Sequence, residues 1–272
     1  GIIGAGNVHL FESITRHGYT EIICVHHEKT ATMAMQTYYR STGRLCAALL
    51  TTGGGVANGV TGVVSAWADS MPGLVIAGNE HSKHTSHENP LRMWGVQGID
   101  SVAMMEKVTK YSVRVTDPCQ ALFELEKASK ISLENRSGPV WVEIPMDVQS
   151  SKLPVGNLKR YHSRTIVSFE PTPSEISSVV NALKKAERPL LWLGHGIRLS
   201  GAVSQLQVLL DQLDVPALVS WAGIDMVDSS HPRILGSAGV YGQRAANFSL
   251  QNCDYLLAIG TRLAIPQVGY DL

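Results

Sequence analysis

The sequence predicts an α/β protein with two doubly wound parallel-sheet domains, the second of them incomplete. Short, nearly continuous apolar runs alternate with segments of helical period, which is the pattern of a parallel sheet covered by helices on both faces. The alternation stops between residues 151 and 174, where Ser, Pro, Lys and Arg follow no period, and then it resumes. We therefore predict a first domain over 1–150, a linker over 151–174 and part of a central-type second domain over 175–272.

The elements of the first domain follow from these runs in chain order. Apolar runs of five to seven residues predict buried strands, because a strand covered on both faces needs no polar alternation. The predicted strands are 21–25, 45–51, 74–78 and 140–145. The predicted helices are 28–41, then 53–68, which opens at three consecutive glycines, and 119–133.

The second domain repeats the alternation over a shorter length. The predicted strands are 190–193, 217–220 and 255–260, and a helix is predicted at 202–213. The chain ends at Leu272, soon after the last of these strands, so we expect this domain to be unfinished.

The composition excludes several classes of protein. The 272 residues are 44% apolar and 17% charged, which excludes an intrinsically disordered chain. Lys and Arg total 23, as do Asp and Glu, so we expect neither a nucleic acid nor a membrane surface as a partner. Asp69 and Pro72 interrupt the most apolar stretch, and the N-terminus has no signal-peptide pattern, so no membrane span or leader is expected. Cys24 and Cys46 lie in apolar runs and are expected to be buried free thiols, which favours a reduced, cytoplasmic setting.

Polar and glycine-rich segments follow three of the predicted strands. They are His26-His27-Glu28, Thr51-Thr52-Gly53-Gly54-Gly55 and Gly78-Asn79-Glu80-His81. Because the carboxyl ends of parallel strands share one edge of a sheet, these loops are expected to meet in a ligand-binding crevice. Two simpler interpretations stay open at this point. Glu28 also suits a helix start that the helix dipole favours, and the three glycines also suit a tight turn.

Two further groups of residues are weaker signals. His81, His84 and His87 have a spacing that spreads them around a helix, so we predict no metal site there. Glycine-rich segments follow strands or turns of the second domain, and none fits the dinucleotide fingerprint G-x-G-x-x-G with its downstream acidic residue. These segments are Gly194-His195-Gly196, 236–242 and 260–262.

Taken in order, the segments resemble one known family. The sequence is similar to the thiamine-diphosphate-dependent enzymes of the acetolactate synthase group, with a pyrimidine-binding domain and part of a central domain. In the first domain the similarity lies in 4–7 (GAGN), 27–31 (HEKTA), 39–44 (YRSTGR), 51–59 (TTGGGVANG), 68–72 (ADSMP) and 137–149 (SGPVWVEIPMDVQ). In the second domain it lies in 235–239 (LGSAG), 246–247 (AN) and 259–262 (IGTR).

The resemblance implies roles for particular residues. Glu28 stands where the family has the glutamate that hydrogen-bonds N1′ of the cofactor's aminopyrimidine. Gln97 stands where the family has a glutamine near the reacting centre, although an ordinary polar loop residue is an equal interpretation. His84 lies in a segment that shapes substrate access and is a candidate substrate-binding or acid–base residue. The implied cofactor-binding set is Gly6, Asn7, Glu28, Thr52, Gly53, Gly54, Asn58, Gly194, Gly196, Gly239 and Arg262.

The sequence departs from the family pattern in two places. The family's third domain holds Mg²⁺ and the diphosphate through Gly-Asp-Gly and a downstream Asn, and this chain has no such motif. We therefore expect Mg²⁺ ligands outside this chain and a site completed by another subunit, in a homo-oligomer that is a dimer or a tetramer. Residues 263–269 (LAIPQVG) replace the acidic residues that accompany flavin in acetolactate synthases, so FAD is a possible and not a required cofactor.

The expected function follows from the resemblance. It is decarboxylation of a 2-keto acid, with pyruvate as the first choice, and transfer of the two-carbon unit to a keto acid or a keto-sugar. The alternatives are simple 2-keto-acid decarboxylation and a non-catalytic interaction fragment. A nicotinamide-dependent oxidoreductase is disfavoured because the dinucleotide fingerprint is missing.

Overall fold

The computed structural model of the protein describes residues 1–85, 89–154, 156, 158–162 and 170–269. It divides into two compact units, Gly1–Thr165 and Ile166–Leu272. Residues 163–169 of the predicted linker lie outside the described residues, so that linker stays a prediction. The described helices include none that is long and apolar enough to cross a bilayer.

The first unit contains one four-stranded sheet in the order β1-β2-β4-β3, and every neighbouring pair is parallel. The strands are β1 (Ala47–Leu50), β2 (Gly73–Asn79), β3 (Ser112–Arg114) and β4 (Pro139–Pro145). The helices are α1 (Val8–His17), α2 (Glu28–Thr42), α3 (Gly54–Asn58), α4 (Val60–Ala68), α5 (Ser101–Met105), α6 (Ala121–Leu133) and α7 (Met146–Gln149).

Alternate residues of β2 belong to two separate hydrophobic cores. Val75 and Ala77 pack with Met35 of α2 on one face of the sheet. Leu74 and Ile76 pack against the cluster that contains Ala128 of α6 on the other face. The sheet is therefore covered on both faces, and the predicted parallel α/β class is confirmed.

Three predictions for this unit are wrong in detail. The helix predicted at 53–68 is two helices that meet at Gly59, because the Gly59 N–H donates to the Val56 carbonyl, three residues back, at 3.0 Å and closes the first helix in a tight turn. Residues 21–25 form no strand, since within the described part of the chain their backbone bonds run to Gly1 alone. Cys24 is exposed there and is not the buried thiol that we expected.

The second unit contains a three-stranded parallel sheet in the order β6-β5-β7. The strands are β5 (Pro189–Leu193), β6 (Ala217–Val219) and β7 (Tyr255–Ile259). The helices are α8 (Pro173–Lys185), α9 (Gly196–Leu199), α10 (Val203–Gln212), α11 (Arg244–Asn252) and α12 (Ile265–Val268). Leu191 and Leu193 pack with Leu206 of α10, whereas Leu190 and Trp192 belong to a second cluster with Ala246 of α11.

Candidate functional site

Glu28 is the first residue of α2. The preceding residue, His27, has an extended backbone (φ −153°, ψ 139°), and its Nδ1 accepts a hydrogen bond of 3.1 Å from the Lys29 N–H. This cap satisfies one of the free N–H groups at the helix start. The Glu28 residue is only 9% exposed, so protein covers most of its side chain.

The Glu28 carboxylate is held on one side only. Asn58, at the end of α3, donates from Nδ2 to Glu28 Oε2 at 3.0 Å. Within the described residues, Oε1 accepts no hydrogen bond, and a β-carbon at Gly55 would lie 2.9 Å from it. Gly55 therefore brings its backbone close to an oxygen that can bind a donor, where a larger residue would crowd that oxygen.

Gly53 joins this carboxylate loop to the turn that carries Gln97. Gly53 has φ +60°, and a β-carbon there would clash with the Gln97 carbonyl oxygen. Gln97 is exposed, and its backbone N–H donates to Glu80 Oε1 at 3.3 Å. The structure therefore brings Gln97 to the glycine loop beside Glu28. Gly54 is exposed, and a β-carbon on it would meet no atom of the described residues within 4 Å.

Gly6, Asn7 and Thr52 lie where the loops after two strands meet the N-terminal loop. Asn7 is fully buried, and its amide accepts from the Gly4 N–H at 2.9 Å and donates to the Ile2 carbonyl at 3.0 Å. The Asn7 side chain therefore bonds to its own loop. A β-carbon at Gly6 would lie 3.0 Å from Thr52 Cβ.

Asn79 connects these loops at the end of β2. The Thr52 hydroxyl donates to Asn79 Oδ1 at 3.1 Å, and Asn79 Nδ2 donates to the Ile99 carbonyl at 2.9 Å. A β-carbon at Gly78 would overlap the Gly6 carbonyl oxygen. The carboxyl ends of β1 and β2 thus meet the N-terminal loop in direct contact, as expected for parallel strands.

His84 lies in a short helical turn, Ser82–His84, that Asp147 holds in place. Asp147 accepts from the Ser82 N–H at 2.8 Å and from the Ser82 hydroxyl, and its Oδ2 lies 3.4 Å from His81 Nδ1. Partial burial raises the pKa of Asp147, but the Ser82 hydrogen bonds and His81 outweigh it, so the pKa lies below its ordinary value.

Among the contacts of the described residues, no hydrogen bond or ring contact joins His84 to Glu28, and the role of His84 stays a prediction. Its ring lies 6.2 Å from the His81 ring, and its carbonyl accepts from Asn89 Nδ2 at 2.9 Å. His87 lies outside the described residues. In the described part of the chain, no group of three or more His, Cys, Asp or Glu side chains could hold a metal ion.

A buried ion-pair network beside the site was missing from the sequence analysis. Glu143, in the middle of β4, is fully buried and accepts from Arg114 Nε and from the Ser101 hydroxyl. Arg114 Nη2 also donates to Asp100 Oδ1 at 2.8 Å. A charged residue inside the apolar run 140–145 was the signal that could have revealed it, because a buried carboxylate needs a partner.

The glycines of the second unit pack against backbone. The Gly194 N–H donates to the Ile259 carbonyl at 2.8 Å, and the Gly196 N–H donates to the Gly260 carbonyl at 2.8 Å. A β-carbon at Gly194 would overlap the Gly260 carbonyl oxygen, and one at Gly196 would lie 2.8 Å from the same atom. Arg262 is exposed just beyond this contact.

Gly239 belongs to a separate turn of the second unit. It has φ +112°, its N–H donates to Asn247 Oδ1 at 2.7 Å, and a β-carbon on it would lie 2.5 Å from the Pro266 carbonyl oxygen. All three of these glycines therefore have a packing role, and their cofactor-binding role stays a prediction.

Two family models match the chain. The N-terminal TPP binding domain of thiamine pyrophosphate enzymes matches residues 1–114, and the central domain of thiamine pyrophosphate enzymes matches residues 176–270. The first match contains Glu28, Asn58 and Gln97, and the second contains the glycine turns of the second unit.

Curated relatives match nearly all of the chain. The isozyme 2 large subunit of acetolactate synthase from Escherichia coli K12 is 31% identical over 96% of this chain and 46% of its own length. The acetolactate synthase large subunit from Lactococcus lactis is 27% identical over 96% of this chain and 45% of its length. A probable acetolactate synthase large subunit from Methanococcus aeolicus is 29% identical over 88% of this chain and 39% of its length. The chain thus spans less than half the length of these relatives.

Proposed function

The chain belongs to the thiamine pyrophosphate enzymes, and from that premise we propose that its protein decarboxylates a 2-keto acid, pyruvate first, and transfers the two-carbon unit to a carbonyl acceptor. The relatives named acetolactate synthase support this reaction class. A second keto acid or a keto-sugar is the proposed acceptor. The observation that carries the proposal is the largely buried Glu28 side chain, with Oε2 bonded to Asn58 and Oε1 close to Gly55 and without a donor among the described residues.

The residues around Glu28 fit an aminopyrimidine ring. Oε1 would pair with the ring nitrogen N1′, while Asn58 fixes the other carboxylate oxygen and so orients the group. Gly55 brings backbone and no side chain to this side of the carboxylate, and Gly53 and Gly54 precede it in the same loop. When bound, thiamine diphosphate supplies the electron sink for the carbanion that decarboxylation leaves.

The side chains of the protein would bind and orient the cofactor and the substrate, and one of them would hold a proton. Glu28 would hold or share a proton at Oε1, in a position that is mostly shielded from water. Gln97 would donate to a substrate oxygen from the turn that packs on Gly53. His84 is proposed as a further substrate contact from the neighbouring turn, and Thr52 and Gly6, which pack on each other, are proposed as further residues that would hold the cofactor.

The other cofactors are assigned more narrowly. We propose that the Mg²⁺ ligands lie outside this chain, because its sequence has no Gly-Asp-Gly with a downstream Asn. FAD is proposed as an optional cofactor near Gly194, Gly196, Gly239 and Arg262, and no step of the reaction depends on it. A homo-oligomer in which another subunit completes the site is part of the same proposal.

Product analysis with the full-length protein tests this function. The protein is incubated with pyruvate, thiamine diphosphate and Mg²⁺, with and without 2-ketobutyrate or a keto-sugar nucleotide. Release of CO₂ with a coupled acyloin product supports the proposed transfer, and the productive acceptor identifies the substrate class. Release of CO₂ with acetaldehyde alone would make the protein a simple decarboxylase. No consumption of pyruvate, in a sample that calorimetry shows to bind thiamine diphosphate, would overturn the pyruvate assignment.

A further inference from the structure

Arg114 ends β3 and donates hydrogen bonds to three different segments. Nε donates to Glu143 of β4, Nη2 donates to Asp100 Oδ1 at 2.8 Å, and Nη1 donates to the Thr85 carbonyl at 3.1 Å. The Arg114 side chain is 10% exposed, so these bonds to charged and carbonyl groups are shielded from water. Charge-assisted bonds of this kind, with several donors in one rigid fork, are strong and directional.

Two of these partners border the loops that carry the candidate substrate residues. Thr85 directly follows the Ser82–His84 turn, and its carbonyl receives the Arg114 bond. Asp100 caps α5, because its Oδ1 accepts from the Ala103 N–H at 3.2 Å. Arg114 therefore contacts the segment 81–100 near its start and at its end.

Arg114 also supports the turn of Gln97 from beneath. Its guanidinium carbon lies 4.7 Å from the centroid of the Trp94 ring, a cation–π contact. Trp94 begins the tight turn, in which the Trp94 N–H donates to the Gly98 carbonyl at 3.0 Å and the Gly98 N–H donates to the Trp94 carbonyl at 2.7 Å. Gln97 is the residue before Gly98, so the placement of Trp94 sets the placement of Gln97.

Glu143 fixes the orientation of Arg114. It is fully buried on a central strand and also accepts from the Ser101 hydroxyl, which in turn accepts from Trp141 Nε1 at 3.1 Å. A carboxylate with no access to water stays paired with its cation, because separation would leave a buried charge. Glu143 of the sheet therefore fixes the guanidinium, and the guanidinium contacts the loops that contain Thr85, Trp94 and Asp100.

We propose that Arg114, held by Glu143, is a positioning residue that fixes the Gln97 turn and the end of the His84 turn for the carbonyl acceptor. Arg114 acts through Trp94, Thr85 and Asp100 and does not itself contact substrate. This role rests on the proposed function only for its kinetic consequence, since the arrangement of the loops can be measured without substrate.

The test uses the full-length protein in four forms, Arg114→Ala, Arg114→Lys, Trp94→Leu and the control Lys110→Met. Lys110 resembles Arg114 in being a partly buried cation that joins two segments, since its Nζ donates to the Glu134 carbonyl at 2.5 Å. It differs in position, because its backbone N–H donates to the Pro139 carbonyl at the opposite end of β4. For each form we would measure hydrogen exchange of the amides of 94–98, the KM and kcat for the donor and acceptor substrates, and the thermal midpoint. The thermal midpoint shows how much of any change comes from general destabilisation.

We expect Arg114→Ala to speed exchange at 94–98 by about tenfold while most other sheet amides keep their protection. KM for the acceptor should rise about tenfold or more, with a smaller change in kcat, because misplaced binding groups weaken the productive pose. Added guanidinium, below its unfolding concentration, should restore part of the acceptor affinity. Arg114→Lys should fall between the wild type and Arg114→Ala, and Trp94→Leu should reproduce the exchange change.

Two results would overturn the proposal. One is exchange at 94–98 that changes no more in Arg114→Ala than in Lys110→Met. The other is an equal loss of kcat for all substrates without guanidinium rescue, which indicates general destabilisation. If Arg114→Ala does not fold, Trp94→Leu and Arg114→Lys decide the matter by the same measurements. A wild-type protein without pyruvate turnover would remove the proposed function, while the exchange data would still test the role of Arg114.

Discussion

Glycines follow the carboxyl ends of strands in both units, but their surroundings differ. In the first unit, a β-carbon at Gly54 would meet no described atom within 4 Å, and one at Gly55 would approach the Glu28 carboxylate. In the second unit, a β-carbon at Gly194 or Gly196 would strike the Gly260 carbonyl oxygen. The first loop contacts backbone at Gly53 but is open at Gly54 and approaches an ionisable group at Gly55, whereas Gly194 and Gly196 both pack on backbone.

This difference explains why glycine-rich loops are weak functional signals in a sequence. Glycine permits close approach, but the sequence does not say whether a ligand or another loop makes the approach. The polar group beside the glycine distinguishes the two cases here. In the first unit that group is Glu28, which keeps one oxygen without a protein donor among the described residues. Four experiments can break or sharpen this comparison.

The largest effect is expected for Glu28→Gln, which should lower turnover of pyruvate by roughly 10²–10⁴-fold. Glutamine keeps the size of the side chain and an oxygen that can accept from Asn58, but it cannot hold a proton as a carboxyl group does. Steady-state kinetics of the full-length protein measures the effect. Glu175→Gln is the matched control, since Glu175 lies in the first turn of α8 in the other unit. Equal turnover in wild type and Glu28→Gln would reduce Glu28 to a helix-start carboxylate.

The second effect separates the two glycine loops by stability. Gly194→Ala should lower the free energy of unfolding by about 1–3 kcal/mol, because its methyl group has to displace the Gly260 backbone. Gly54→Ala should change it by less than about 0.5 kcal/mol, since the site is exposed and open. Urea denaturation of both variants measures the difference. Similar losses at the two positions would show that the contrast between the loops is not energetic.

The third effect concerns acid stability. Because the pKa of Asp147 is lowered in the folded protein, its contribution to stability is present above the ordinary carboxyl pKa of about 3.9 and is lost as the pH falls through the folded-state value. The thermal midpoints of wild type and Asp147→Asn should therefore differ near about pH 6 and converge at lower pH.

Asp228 of the second unit provides the control for that titration. The Ser230 N–H and hydroxyl lower its pKa as well, but they tie down only an exposed turn. Asp228→Asn should give a smaller difference in midpoint, because surface pairs contribute little. A pH-independent gap for Asp147→Asn would mean that the substitution acts through packing and not through charge.

The smallest expected effect is a gain in the free energy of unfolding. Gly54 and Gly196 are each the first residue of a short helix, where proline is favoured because its missing N–H has no partner within the helix. Gly54→Pro should raise the free energy of unfolding by about 0.4–1 kcal/mol through a less flexible unfolded chain. Gly196→Pro should destabilise, since the Gly196 N–H bonds to Gly260. Calorimetry that ranks the two variants in the opposite order would refute this account of the loops.

Local apolar runs predicted most of the sheet. The runs 74–78 and 140–145 became β2 and β4 within a residue or two, because each is buried on both faces. The run 21–25 has the same appearance but no strand, since its hydrogen-bonding partner in the described residues is Gly1 alone. Strand formation depends on a neighbour, and the sequence of one segment does not contain that information.

The candidate site was also predictable only in part, because some of its residues carry a local sequence signal and others do not. Glu28 and the glycine loop were found because they follow strand-like and apolar runs in a recognisable order. Arg114 was not found, because β3 is only three residues long and its partners, Thr85, Trp94 and Asp100, are distant in the chain. Short edge strands and long-range ion pairs have almost no local signature.

The close packing of Gly78 on the Gly6 carbonyl oxygen limits how this protein could be redesigned. Any residue larger than glycine at 78 would have to expel the N-terminal loop from the edge of the sheet, together with the Asn79 and Thr52 contacts beside it. Mutant libraries that seek new acceptors should therefore keep position 78 constant and vary exposed or partly exposed side chains such as Gln97 and His84. The backbone contacts around Gly78 would then stay unchanged while the more exposed side chains vary.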